Sequence, residues 1–317
     1  AGQLKYMQDH GLEMIAITSQ GEFLDRLRQR ENLPIYVVPM RREISPLSDF
    51  VALFKIWRIF MKLRPDIVHG STPKAGLLSM VAASMASVPV KLFFMRGLRS
   101  STLTGIKRRI VHAAEKITCL LAHRVLCTSA SLSGRAIGRG VCDSAKIKVL
   151  HHGTGNGIDV SHFDPRRYSQ EDCFRIRARL NIPQASLVIL FVGRVVRDKG
   201  IFELLQMWAQ LRNRYPHLHL ILAGPWEEGD PVAHETRVSA EGDARVHVLG
   251  SVSDSAPMYA VADVFVLPTY REGMPVCVLE ASAMEMPVVA TQVDGCVDAV
   301  EDGVTGLLVP ARDPTAL

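Results

Sequence analysis

The chain has 317 residues, 48% of them apolar, and a formal net charge of +5. That length suggests two domains, each with a sizeable core, and no run reaches the ~18 apolar residues of a membrane-spanning helix. No secretory signal is visible; six cysteines without a C-x-x-C pair, and no histidine cluster at zinc spacing, point to free buried thiols and no metal site.

A helix pattern at 2–10 opens the chain. Strand candidates at 13–18, 35–38, 66–69, 91–95, 124–127 and 146–150 then alternate with helix candidates at 47–63, 73–86, 106–122 and 130–138. This is the βαβ rhythm of a parallel sheet with helices on both faces. The apolar stretch 77–90, interrupted by Ser and Pro, reads as a buried helix. A doubly wound domain opens on a strand and a glycine-rich turn. Neither precedes Gln3, so the first domain is expected to lack its first strand, and 313–317 reads as the start of an incomplete helix. The chain is accordingly expected to be an internal piece of a longer protein.

The segment HHGTGNGIDVSHF at 151–163 breaks the rhythm with three glycines, which permit the positive φ angles of tight turns. It reads as a linker, giving domains at 1–155 and 156–317. Charge changes sign there. Residues 1–150 hold 23 Lys+Arg and 10 Asp+Glu, a net of +13, and residues 151–317 carry −8. A basic half implies an anionic partner. Lys107, Arg108, Arg109 and Lys116 lie on the helix at 106–122, whose Ile106, Ile110, Ala113, Ile117 and Leu120 share one side. No RNA-recognition or helix-turn-helix pattern accompanies them. An anionic membrane surface is therefore favoured over nucleic acid, each Lys or Arg near the leaflet contributing about 1 kcal/mol.

The second half restarts with a helix at 173–180. Strands follow at 187–192, 218–223, 246–249, 264–267, 288–291 and 306–309, with helices at 201–214, 255–262, 275–284 and 295–300. Two stretches carry its chemistry. In LVILFVGRVVRDKGIFELL at 187–205, an apolar strand turns at Gly193 and is followed by Arg194 and Lys199. An Arg makes forked bonds to phosphate and a Lys acts as a point charge; both sit where open α/β sheets bind ligands. In VFVLPTYREGMPVCVLEA at 264–281, a strand leads to Glu272 and a helix pattern from Pro275 that carries Glu280. Eight residues is a little over two helical turns, so the two carboxylates are expected on nearly the same face. The helix start between them offers N–H groups and a positive dipole end to a diphosphate. The carboxylates can accept hydrogen bonds from sugar and ribose hydroxyls.

These segments together resemble the GT-B glycosyltransferases, in particular the retaining enzymes of family 4. The matching pieces are Gly193–Arg194 with Lys199–Gly200, Ala223–Gly224, Leu249–Gly250, Glu272–Gly273 through Glu280–Ala281, and Gly303 with Gly306–Leu307. Asp66-Ile-Val-His-Gly-Ser-Thr-Pro-Lys-Ala-Gly76 and Glu272-Gly-Met-Pro275 resemble a narrower bacterial group that extends lipid-linked oligosaccharides for capsule, O-antigen, exopolysaccharide or glycoprotein assembly. The resemblance implies two doubly wound domains facing across a cleft, no catalytic metal, and front-side attack with retention.

It also implies roles. Arg194 and Lys199 would neutralise the donor diphosphate with N–H groups of Gly273 and Met274, and Gly193 would turn the chain there. Glu272 would hold the transferred sugar, Glu280 the ribose, and Leu249 and Gly250 the base. On the acceptor side stand His69, Lys74 and Arg96. Many relatives carry His where this chain has Arg96. An Arg stays charged and cannot act as a base, so a phosphate of the acceptor is the better partner. The expected reaction moves a hexose or N-acetylhexosamine, from UDP in the first instance, to a polyprenyl-diphosphate-linked saccharide on the cytoplasmic membrane face. The competing readings are a UDP-sugar epimerase of the same fold and an inactive nucleotide-sugar-binding fragment.

Overall fold

The computed structural model describes residues 3–21, 24, 28, 33–40, 45–153, 157–227 and 230–317. Residues 154–156, inside the expected linker, lie outside them. The chain divides into two units, Ala1–Asn156 and Gly157–Leu317, against an expected boundary at 155/156.

In the first unit, α1 (Gln3–Asp9) buries no residue. Strands β1 (Ala16–Thr18) and β2 (Ile35–Val37) pair in parallel. The chain continues through α2 (Pro46–Leu63), β3 (Ile67–Ser71), α3 (Pro73–Met85), β4 (Val90–Met95), α4 (Gly105–Leu121), β5 (Arg124–Cys127), α5 (Ala130–Gly138) and β6 (Ile147–Val149). The last four strands form a parallel sheet in sequence order. Among the described residues the strands of the first domain fall into two sheets, where the alternation predicts a single one.

Local chemistry sets the helix starts. Both α2 and α3 open on a proline, whose missing N–H costs nothing in the first turn. Asp49 in the first turn of α2 accepts from Ser45 N at 3.1 Å. Gly76 lets α3 lie on the sheet, since a Cβ there would collide with the Phe93 ring. The expected buried helix at 77–90 is α3, which buries Leu78, Met80, Ala82 and Ala83 but ends at Met85 before the Ser-Val-Pro turn.

The second unit is one six-stranded parallel sheet. Its strands are β7 (Leu187–Val192), β8 (Leu218–Ala223), β9 (Val246–Gly250), β10 (Val264–Leu267), β11 (Val288–Thr291) and β12 (Gly306–Val309), in the spatial order β12-β11-β10-β7-β8-β9. Helices α6 (Gln170–Arg179), α7 (Ile201–Arg214), α8 (His234–Glu241), α9 (Ala256–Val261), α10 (Val276–Ala283) and α11 (Cys296–Ala299) accompany it. The core is built from fully buried strand residues such as Leu190, Phe191, Leu220, Ile221 and Phe265. Direction reverses between β7 and β10, the first and fourth strands of this unit. Open α/β sheets bind ligands at such a switch point, beyond the carboxyl ends of the strands.

Candidate functional site

The loops after β7 and β10 meet at the switch point. Beyond β7 the chain passes Gly193 and Arg194, makes a 3-10 turn over Arg197–Lys199, and enters α7 through Gly200. Gly200 holds φ +70°, and a Cβ there would strike the carbonyl of Pro268 at the end of β10. The backbone N–H of Tyr270 donates to Asp198 O at 2.9 Å, and Thr269 Oγ1 donates to Asp198 O at 3.2 Å. Arg271 grips the Asp198 carboxylate through Nε at 2.9 Å and Nη2 at 2.8 Å. Gly295, at φ +75°, seats its backbone so close that a Cβ would lie 2.6 Å from Gly273 O. These contacts hold the two loops as one unit.

Between the loops, Lys199 Nζ forms a hydrogen-bonded ion pair with Glu272 Oε1. The two side chains are only 18% and 13% exposed. Burial disfavours the lysine charge, but the Glu272 charge and hydrogen bond outweigh it, and the Lys199 pKa is raised above the ordinary lysine value. Arg194 lies further out, 51% exposed, with Nη1 2.7 Å from Glu227 Oε2. Neither cation therefore stands as an isolated charge: each already holds a carboxylate. Between the two glutamates of the motif sits the Cys277 thiol, pushed up to about 12, chiefly by burial.

The two glutamates come from different parts of the motif, Glu272 ahead of the helix and Glu280 along its body. Helix α10 begins at Val276 with Pro275 as its cap, so Glu272 belongs to the loop and only Glu280 is helical. They consequently take different partners. The Tyr259 hydroxyl lies 2.9 Å from Glu280 Oε2 and 3.1 Å from Cys277 O. Burial raises the Glu280 pKa despite that hydrogen bond. Gly273 and Met274 stand between the glutamates, against Gly295. Leu249 and Gly250 end β9, two strands from β7, where a register shift pairs Ala223 with Gly250 at φ +65°.

The residues expected on the acceptor side, His69, Lys74 and Arg96, lie in the first unit. His69 lies in the middle of β3, which runs on to Ser71 although the sequence pattern ends the strand at 69, whereas Arg96 directly follows the last residue of the adjacent strand β4; the two share Phe94. The His69 ring meets Phe94 edge-on at 5.9 Å, and the Arg96 guanidinium lies 4.9 Å from the Phe94 centroid. Burial, then the Arg96 charge, lowers the His69 pKa and favours the neutral imidazole. Lys74 reaches Asp49 Oδ1 at 2.7 Å, tying α3 to α2. Just before it, Thr72 holds φ 68° and ψ 153°, a region otherwise left to glycine. No group of three or more His, Cys, Asp or Glu able to hold a metal occurs among the described residues, and no disulfide joins the six cysteines.

Sequence reasoning missed Asp198, Arg271, Tyr259, Glu227 and Gly295. Two of these lie inside the motifs already singled out. Their pairing becomes visible only once β7 and β10 are known to be neighbours.

A doubly wound domain with cations and a carboxylate converging at its switch point is a nucleotide-binding architecture. Residues 186–317 match the family model for glycosyl transferases group 1, and residues 1–153 match that for the glycosyl transferase 4-like domain. Over 316 residues the chain is 32% identical to the capsular polysaccharide biosynthesis glycosyltransferase CapM of Staphylococcus aureus, spanning 100% of this chain and 81% of that protein. It is 26% identical to the N,N'-diacetylbacillosaminyl-diphospho-undecaprenol alpha-1,3-N-acetylgalactosaminyltransferase of Campylobacter jejuni, spanning 98% and 81%. Among solved structures, Anabaena Alr3699/HepE in complex with UDP and glucose shares the fold with a TM-score of 0.77 at 18% identity, covering 96% of this chain and 88% of that one. The chain belongs to the group 1, family 4-like glycosyltransferases of GT-B fold.

Proposed function

We propose that the chain is a retaining glycosyltransferase that moves a hexose or N-acetylhexosamine from a UDP-sugar to a polyprenyl-diphosphate-linked saccharide. The observation that carries this reading is the Lys199–Glu272 pair at the switch point. It sets a cation for the diphosphate against a carboxylate for the sugar. Lys199 and Arg194 balance the charge that grows on the leaving diphosphate, and such preorganised electrostatics is often the largest catalytic contribution. Gly273 and Met274 add backbone donors, Glu272 orients the sugar hydroxyls, Glu280 accepts from the ribose, and Leu249 and Gly250 meet the base edge. Attack from the face of the departing diphosphate retains configuration. Of the acceptor-side residues, His69 and Arg96 flank Phe94 and suit a saccharide hydroxyl and an acceptor phosphate. Lys74 is a weaker candidate, because Asp49 already holds it. The two relatives named above support the acceptor class, one by capsule biosynthesis and one by an undecaprenol-linked substrate. In this reading the basic N-terminal domain rests on the anionic cytoplasmic face of the membrane. No helix among the described residues is long and apolar enough to cross it.

Calorimetric titration of UDP, GDP and ADP, with Glu280→Ala as control, tests the donor side. Selective UDP binding lost in the variant is expected. Binding of UDP that Glu280→Ala leaves unchanged removes Glu280 from the site. Product analysis without acceptor separates transfer from epimerisation, since an epimerised UDP-sugar would refute transfer.

A further inference from the structure

We propose that the outward faces of α2 and α4 together form the surface that docks this protein on an anionic bilayer, with apolar side chains entering the headgroup region. The proposal rests on the membrane reading above and names the elements that carry it.

Helix α2 is apolar on two sides. Ala52, Ile56 and Phe60 face the core, yet Leu47 is 88%, Phe50 70% and Met61 51% exposed. At 100° per residue, Leu47, Phe50, Phe54 and Met61 fall on one stripe opposite the core face. A helix apolar on all sides belongs in an interior; this one shows half of that surface to solvent. Helix α4 does the same. The side that the sequence marks as apolar turns away from the core, with Ile106 at 74%, Ile110 at 50% and Leu120 at 69% exposure, while Glu115, Thr118 and Cys119 face inward. Helix α3 packs against both, so the two stripes flank it in one helix layer.

Charge decides the occupant. Lys55, Arg58 and Lys62 on α2, and Lys107, Arg108 and Lys116 on α4, are all exposed. Each helix has a single carboxylate, and both are turned inward and satisfied. Asp49 takes Lys74 and Ser45 N; Glu115 accepts from Ser100 Oγ at 2.6 Å and Ser100 N at 3.2 Å. Beside Ile106, an open cavity of about 770 Å³ is lined by Arg108, Arg109, His112 and Arg139. A second copy of this face would set cations against cations. An anionic leaflet complements them, and basic residues around an apolar stripe are the mark of an interfacial helix.

Co-sedimentation with phosphatidylglycerol and with phosphatidylcholine vesicles tests this on the full chain, using Phe50→Ser/Phe54→Ser and, separately, Ile106→Ser/Ile110→Ser. The replaced side chains are exposed, and circular dichroism checks the fold. The wild type is expected to bind the anionic vesicles preferentially, and each double variant to lose at least tenfold in partitioning. Retained binding in both variants overturns the proposal, as does a wild type that ignores anionic vesicles. Light scattering that finds a dimer in the wild type and a monomer in the variants would assign the face to a second copy instead. UDP titration on the same proteins keeps the two readings apart. Variants that bind UDP normally but not vesicles support docking, whereas a wild type that binds vesicles but no nucleotide refutes only the donor assignment.

Discussion

Replacing Lys199 by Met removes one partner of a pair whose side chains are 18% and 13% exposed. It leaves the Glu272 carboxylate in a confined place without its cation. Breaking a buried ion pair from one side costs roughly 3 kcal/mol or more, most of it the penalty of the orphaned charge. In a domain the size of the second unit, each kcal/mol moves the midpoint by roughly 2–4 °C, so Lys199→Met should lower it by about 6–12 °C. The double variant Lys199→Met/Glu272→Gln removes both charges and should regain most of that loss. Trp208 and Trp226 both belong to the second unit, so thermal unfolding followed by tryptophan fluorescence reports chiefly on it. Transfer activity gives the second readout. Glu272→Gln alone should lower turnover by about 100-fold or more, roughly 3 kcal/mol of transition-state stabilisation, and the double variant should stay as slow although its stability returns. A Lys199→Met variant within about 1 kcal/mol of wild type, or a double variant no more stable than the single, would refute the picture of a confined pair. The pH dependence carries the same sign. The folded Lys199 pKa lies above the unfolded one, so its stabilisation is complete below the ordinary lysine value and is lost only as pH rises through the raised one.

Glu280 has the opposite consequence near neutrality. Burial raises its folded pKa, so its stabilising contribution is present below the ordinary glutamate value and lost as pH rises through the raised one. Glu280→Gln keeps an acceptor for Tyr259 without the buried charge; its melting point should exceed that of the wild type at pH 7 and converge with it at about pH 4, near the free glutamate value. A variant less stable than wild type at pH 7 would contradict this. Glu227→Gln loosens Arg194 from an exposed pair of the kind worth about 0.2–1 kcal/mol. UDP should then bind up to about fivefold more tightly by calorimetry, and weaker binding would show that Glu227 helps hold the ligand. Gly295→Ala adds a Cβ against Gly273 O at a position with φ +75°. That should cost at least about 1 kcal/mol of stability, readable as a lower urea midpoint, and should weaken UDP binding by shifting the Gly273–Met274 backbone.

The sheet of the second unit was legible because its strands are short, mainly apolar runs, most of them closed by Gly or Pro, and buried parallel strands need no alternation. Helix α8, HETRVSAE, went unread because only Ala240 of it is buried, and an apolar period cannot show in a helix that touches the core so lightly. The site was half legible for a related reason. Glycines and cations after a strand mark a ligand loop locally, so Arg194, Lys199 and Glu272 stand out one by one. What joins them is the neighbour relation of β7 and β10, more than seventy residues apart in the chain. Asp198 and Arg271 look like two solvated charges until that relation makes them a clamp. The apolar stripes of α2 and α4 mark the limit of periodicity itself. A period of 3.6 identifies one face of a helix, but it does not say whether that face meets the protein core or something outside the chain. In α2 both faces are apolar, so the pattern predicts a helix with equal force either way. Only the observed burial of Ala52, Ile56 and Phe60, with Phe50 left in solvent, separates the face that folds the domain from the face that does not.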